Sequence, residues 1–285
     1  MGEFMSNILD NFKKNKEFLI CIDSDGCAIN TMDIKHIKCF GPCMISEWNL
    51  EEWREPILKR WNEINLYTLT RGINRFKGLA LSLSEINNTY KKIEGLDEFL
   101  KWTEETKELS NESLENYLKN TNNICIRKAL SWSIAVNKSI DLLSDYEKLP
   151  FKGVKEAIIK SKEYANIAIV SSANEKAVLD EWSKHKLLEH VDIVLTQNIG
   201  SKAFCIKKLK EKGYSSDNVL MIGDALGDLN SSKSNDVLFY PIMVKKEEES
   251  WNTFANECLD KFINRQYIGS CENSFIDKFK ANLSN

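Results

Sequence analysis

Five short, almost unbroken runs of aliphatic and β-branched residues constrain this fold more than any other feature. They are Phe18–Ile22, 167–170, 192–195, 219–222 and 237–240. None alternates apolar with polar residues, so each reads as a strand covered on both faces, as in a parallel sheet. Segments with helical spacing separate the later runs, at 154–164, 175–188 and 203–212, the last followed by Gly213 as a C-cap. This rhythm predicts an α/β fold with a Rossmann-like parallel sheet core wound with helices.

Residues 31–149 break the rhythm. They are rich in Trp, Leu, Asn, Lys and Glu, with helical spacing over 48–64, 83–93, 96–109 and 129–143. The reading is an inserted, mostly α-helical domain over 31–149, within an α/β core of 1–30 and 150–285. The return to the core is marked by Pro150-Phe151-Lys152-Gly153-Val154. From Lys245 onward, the acidic Glu247-Glu248-Glu249 run is expected to lead into surface helices without recognisable chemistry.

Composition excludes several classes. The formal charge is −3 with both signs interspersed, so no basic stripe suggests a nucleic-acid partner. Nothing approaches the roughly 20 apolar residues of a membrane span. Eight cysteines lie scattered without a CxxC pair, which fits reduced thiols in a cytoplasmic protein better than a disulfide framework or a zinc site. Met1-Gly2-Glu3-Phe4 ahead of Met5 reads as a cloning remnant, not a myristoylation signal at Gly2. Oligomeric state leaves no trace in the sequence.

In an open parallel sheet, ligands bind beyond the carboxyl ends of the strands. The first run ends in Asp23-Ser24-Asp25-Gly26 and the second in Ser171-Ser172. The loop after the third leads to Lys202, and the fourth ends in Gly223-Asp224-Ala225-Leu226-Gly227-Asp228. Each signal alone has an ordinary explanation: a turn, a helix cap near Asn174, a solvated lysine. All four at one sheet edge form a constellation. In this order they resemble the haloacid dehalogenase-like superfamily, whose four motifs are DxDG after a strand, a strand ending in Ser or Thr, a lysine before a helix, and GDxxxD. The likeness covers roughly 16–30 and 150–245. Two departures stand out: Cys27 follows Gly26, and no proline follows Lys202, with Lys207 and Lys208 as nearby alternatives.

The resemblance implies a magnesium-dependent phosphatase acting on a small phosphorylated metabolite. It makes Asp23 the nucleophile and Asp25 the acid and base, with Ser171, Ser172 and Lys202 on the phosphoryl oxygens. It gives Mg²⁺ to Asp23, the Asp25 carbonyl and Asp224, and has Asp228 complete the acidic set by orienting Lys202 or a water on the metal. The charge balance agrees. At about 4 Å and an effective dielectric of 20, each like-charge pair costs on the order of 4 kcal/mol, and Mg²⁺ with one ammonium offsets three carboxylates. A halide needs no proton to leave, so Asp25 points away from dehalogenation. A phosphomutase of the same architecture and a catalytically silent binding protein remain alternatives.

The insert resembles in position the helical caps of such enzymes. Within it, Arg71 and Arg75 flank Gly72 and could grip an anionic part of the substrate, or form a basic loop in solvent; His36 could face the active-site entrance, or lie on the surface. Trp48, Trp53, Trp61, Trp102 and Trp132 read as core of the insert.

Overall fold

A computed structural model describes residues 8–284. Residues 1–4, expected to be a cloning remnant, lie outside the described residues. The chain divides into two compact units, one holding the residues through Thr31 together with those from Asp145 onward, the other being Met32–Ser144.

The first unit is built on five parallel strands, β1 (Phe18–Ile22), β2 (Ala165–Val170), β3 (Ile193–Leu195), β4 (Val219–Gly223) and β5 (Leu238–Pro241), in the order β3-β2-β1-β4-β5. The α/β sheet wound with helices is therefore the fold. β1, β2, β4 and β5 are buried at every position, which explains their unbroken apolar character. Ile22 pairs with Ile169 on one side and Ile222 on the other. This register brings the residues following β1, β2 and β4 out at one edge.

The two connections to the insert run side by side. Ile29 bridges Pro150, Phe151 donates its N–H to the Ala28 carbonyl at 3.0 Å, and Asn30 donates to Leu149 at 2.8 Å.

The segment after Lys245 is core, not surface. Trp251, Phe254, Leu259, Phe262 and Tyr267 are buried against β1, β4 and β5. Aromatic rings of this size dominate the apolar area a small domain can bury. The segment also protects the sheet edge. The Phe239 N–H donates to Glu272 at 3.0 Å and the Phe239 carbonyl accepts from the Tyr267 hydroxyl at 2.9 Å, so β5 presents no open pairing groups there.

The second unit packs helices around Trp61, Trp102, Trp132, Phe76 and Phe99. Edge-to-face contacts order this core, with ring centroids of Trp61 and Trp132 6.0 Å apart and of Phe76 and Trp102 5.4 Å apart. Trp53 is only partly buried, while the other four tryptophans are core. The expected single helix over 48–64 is broken. Helix Gly41–Trp48 stops at Asn49, whose φ of 53° is left-handed, and Arg54–Asn62 begins anew. Asn tolerates that conformation better than most residues, and its N–H reaches back to the Ile45 and Ser46 carbonyls. Helix Asn111–Leu118, whose N-cap Ser110 accepts the Ser113 N–H, lies outside the expected helical stretches.

Candidate active site

The first carboxylate leaves β1 directly. Asp23 donates its N–H to the Ile222 carbonyl at 3.0 Å, so it remains anchored to β4, and its Oδ1 accepts from the Ser24 N–H at 2.8 Å. The chain then makes one tight turn. Ala28 and Ile29 donate to the Ser24 carbonyl at 3.0 and 2.9 Å, and Gly26 takes a φ of 80°, a value glycine adopts without Cβ strain. That turn presents Asp25 two residues beyond Asp23. The Thr31 hydroxyl donates to Asp25 Oδ1 at 2.6 Å.

Two indoles hold the turn from below. Trp182 Nε1 donates to Ser24 Oγ and Trp251 Nε1 to the Cys27 carbonyl, both at 2.9 Å and buried. Thr31, Trp182 and Trp251 escaped sequence reasoning: Thr31 falls at the start of the expected insert, and nothing local ties the two tryptophans, more than 150 positions away, to the Asp23 turn. Trp182→Phe is expected to destabilise the protein by about 1–3 kcal/mol in urea unfolding, since a buried hydroxyl loses its donor. A cost below about 0.5 kcal/mol would show that this indole does not hold the loop.

Lys202 opens helix Lys202–Lys210, with Ser201 as its N-cap. Its ammonium lies 2.7 Å from Asp23 Oδ2 and 2.5 Å from Asp228 Oδ1. Lys207 lies outside this contact and Lys208 pairs with Glu211, so geometry selects Lys202. Asp228 sits in helix Leu226–Lys233, is fully buried, and accepts the Ala225 N–H on Oδ2 at 3.1 Å. Asp224, also buried, follows β4 directly. Asp23, Asp224 and Asp228 each offer an oxygen within 4.8 Å of the others.

Burial pushes Asp23 up to about 6, Lys202 works against the rise and Asp228 adds to it. Burial likewise raises Asp228, partly offset by Lys202. For Lys202, burial opposes the charge, but Asp228 and Asp23 outweigh it and hold the ammonium well above its ordinary range. Three buried carboxylates and one ammonium leave a formal charge of −2 (three negative, one positive). An all-oxygen donor set with this excess fits a hard divalent cation such as Mg²⁺.

Ser171 is buried at the end of β2, and its Oγ accepts the Ala173 N–H at 3.2 Å. Ser172 is exposed, and the cap of helix Glu175–Lys184 is Asn174, not either serine. The insert's candidates separate. Arg71 is buried, donates to the Leu66 carbonyl at 2.8 Å and lies 3.6 Å from Asp33, which corrects the solvated-loop alternative for this residue. Arg75 and His36 both meet the Phe40 ring, Arg75 at 5.1 Å from its centroid and His36 stacked on it at 4.5 Å. All eight cysteines are free. Among the described residues, no helix is long and apolar enough to cross a membrane.

Comparison with known proteins places this geometry in context. The sequence model of the family described as haloacid dehalogenase-like hydrolase matches residues 80–241, more than half of the chain. That span includes β2 to β5 and leaves out β1. No curated protein sequence matches. Among solved structures, the chain is similar to a haloacid dehalogenase-like family hydrolase from Streptococcus pneumoniae, with 10% identity, 82% of this chain and 90% of that one covered, and a TM-score of 0.47. It is similar to a hydrolase from Pseudomonas syringae at 13% identity, with 82% and 90% covered and a TM-score of 0.47. A third is a haloacid dehalogenase-superfamily hydrolase of subfamily IA from Geobacter sulfurreducens, at 14% identity, 80% and 88% covered, and a TM-score of 0.39.

Proposed function

The chain belongs to the haloacid dehalogenase-like hydrolases, and we propose that it is a magnesium-dependent phosphatase cleaving a small phosphate monoester through an aspartyl-phosphate on Asp23. One observation carries this reading. A single ammonium, that of Lys202, is gripped between Asp23 and Asp228 at 2.7 and 2.5 Å, with Asp224 beside them. An acid, Asp25, stands two residues from the nucleophile and is oriented by Thr31.

In the first step an Asp23 carboxylate oxygen attacks phosphorus and the bond to the ester oxygen breaks. Asp25 gives its proton to that leaving oxygen. In the second step Asp25 takes a proton from a water whose oxygen attacks the phosphorus of the aspartyl ester. The bond to Asp23 then breaks and inorganic phosphate leaves. Lys202 holds Asp23 in place and offers its remaining N–H to a phosphoryl oxygen, and Ser171 offers its hydroxyl to another. Mg²⁺, held by Asp23, Asp224 and the Asp25 main-chain carbonyl, would supply the positive charge that lets a phosphate dianion enter beside three carboxylates. The Asp25 proton favours an alkoxide leaving group over a halide.

The test is phosphate release from p-nitrophenyl phosphate with Mg²⁺ and with excess chelator. Charge stabilisation by a metal is worth several kcal/mol, so the chelator is expected to lower the rate on the order of 10³-fold and added Mg²⁺ to restore it. A rate indifferent to chelator would sink the metal assignment. Release without any bisphosphate primer separates hydrolysis from mutase chemistry. If the artificial ester is not turned over, retention of beryllium fluoride in the presence of Mg²⁺ reports on the aspartyl-phosphate site directly.

A further inference from the structure

Arg75 is a cation in a place where its surroundings oppose one. It is the first residue of helix Arg75–Thr89, whose first turn contains no acid, and the positive end of a helix dipole disfavours a cation there. Arg75 is partly buried, and that burial lowers its pKa. Two of its five N–H groups are engaged: Nη1 donates to Ser133 Oγ at 3.1 Å and to Asn137 Oδ1 at 2.7 Å. Both acceptors are neutral. Among the described residues no carboxylate pairs with Arg75, whereas Arg71, four residues earlier, lies against Asp33.

The guanidinium is nonetheless built in. Ser133 is fully buried, and its hydroxyl donates to Asn111 Oδ1 at 2.7 Å. The plane lies 5.1 Å from the buried Phe40 ring, which packs edge-on against Trp132. One side of the fork is thus fixed by neutral oxygens, and an aromatic ring supports the group. The Nε–H and the two Nη2 N–H groups make no hydrogen bond within the described residues. These three donors form the edge that meets two oxygens of one anion side by side.

We infer that the Nε/Nη2 edge of Arg75, held by Ser133, Asn137 and Phe40, is an oxyanion-binding site of the helical unit, taking the carboxylate or phosphoryl group of a small molecule. A bound anion would answer the helix dipole, the burial and the missing counter-charge together. The site stands independently of the hydrolytic reading, because every residue in it belongs to Met32–Ser144.

The test follows arginine Nε–H resonances of the ¹⁵N-labelled full chain in chelator, with Arg75 identified as the signal lost in Arg75→Lys. Sodium phosphate and sodium acetate are titrated separately against sodium chloride at matched ionic strength. A saturable shift of the Arg75 signal with phosphate or acetate, absent with chloride, is the expected result. The anion that saturates first identifies the group as phosphoryl or carboxylate. Ser133→Ala, which removes one of the two acceptors orienting the fork, is expected to weaken that binding about three-fold to ten-fold, the effect of roughly one hydrogen bond. An identical, non-saturating drift in all three salts would overturn the site.

Discussion

Asp23→Asn is expected to lower phosphate release by a factor on the order of 10⁵ while leaving the protein folded. The activity loss follows from the chemistry, because an amide oxygen cannot form the acyl-phosphate that divides the reaction in two. The stability expectation follows from the site. Burial pushes the Asp23 carboxyl up to about 6, and Asp228 adds to the rise. Its ionised form is therefore less favourable in the folded chain than in the unfolded one. At neutral pH the carboxylate weakens folding, and an isosteric neutral amide removes that cost. Against that gain, the amide has one acceptor for two donors: if its Oδ1 keeps the Ser24 N–H, its NH2 faces the Lys202 ammonium, which lies 2.7 Å from Oδ2 in the wild type. In chelator at pH 7 the two effects offset each other, and the variant is expected to lie within about 2 kcal/mol of wild type. Relative to wild type, the variant should lose stability as the pH falls through about 6 and level off below the ordinary value of 3.8, where the wild-type carboxyl is neutral in both states. Urea unfolding of both proteins across this range measures it. Turnover within ten-fold of wild type would remove Asp23 from the nucleophile's role, whatever the unfolding data show.

Gly223→Ala is expected to cost about 1–3 kcal/mol or more and most of the activity, although it adds one methyl group in a strand of ordinary backbone. A Cβ on Gly223 would stand 2.5 Å from Asp228 Oδ2 and closer still to the Asp228 Cβ and Cγ. Asp228 has nowhere to retreat. It is fully buried, holds Lys202 through one oxygen and the Ala225 N–H through the other. Displacing it releases Lys202, which in turn holds Asp23. A glycine inside a strand often marks such a close approach. Gly227→Ala, four residues on, provides the contrast. Nothing lies within 4 Å of a Cβ there, and in helix Leu226–Lys233 alanine is favoured over glycine by up to about 1 kcal/mol. Equal effects of the two substitutions on urea unfolding and turnover would refute this account of the GDxxxD turn.

How much of this was legible beforehand depends on whether the signal is local. The strands were, because a strand buried on both faces must be apolar at every position, and that density survives in a single sequence. So were Asp23, Asp25 and Asp224 as candidates, since parallel strands deliver their carboxyl ends to one edge and polar residues immediately beyond an apolar run have few other reasons to recur. The break at Asn49 was not, because the spacing over 48–64 reads as one helix until the left-handed residue is seen. The C-terminal segment was misjudged for a related reason. Glu247-Glu248-Glu249 looks like a solvated surface, but Phe254 packs on Tyr240 of β5 and Phe262 on Phe18 of β1, pairings that no local pattern reveals.

The sequence by itself determined the sheet and the chemical types at its edge, since both follow from short-range pattern and strand direction. Tertiary structure alone decided which of those groups touch. It chose Lys202 over Lys207 and Lys208 by bringing one ammonium between Asp23 and Asp228. It left Ser172 exposed while burying Ser171. It also separated two arginines four residues apart, giving Arg71 a carboxylate and Arg75 only neutral oxygens. Hydrogen bonds and ion pairs act over about 3 Å, and only a folded backbone brings residues so distant in sequence within that reach.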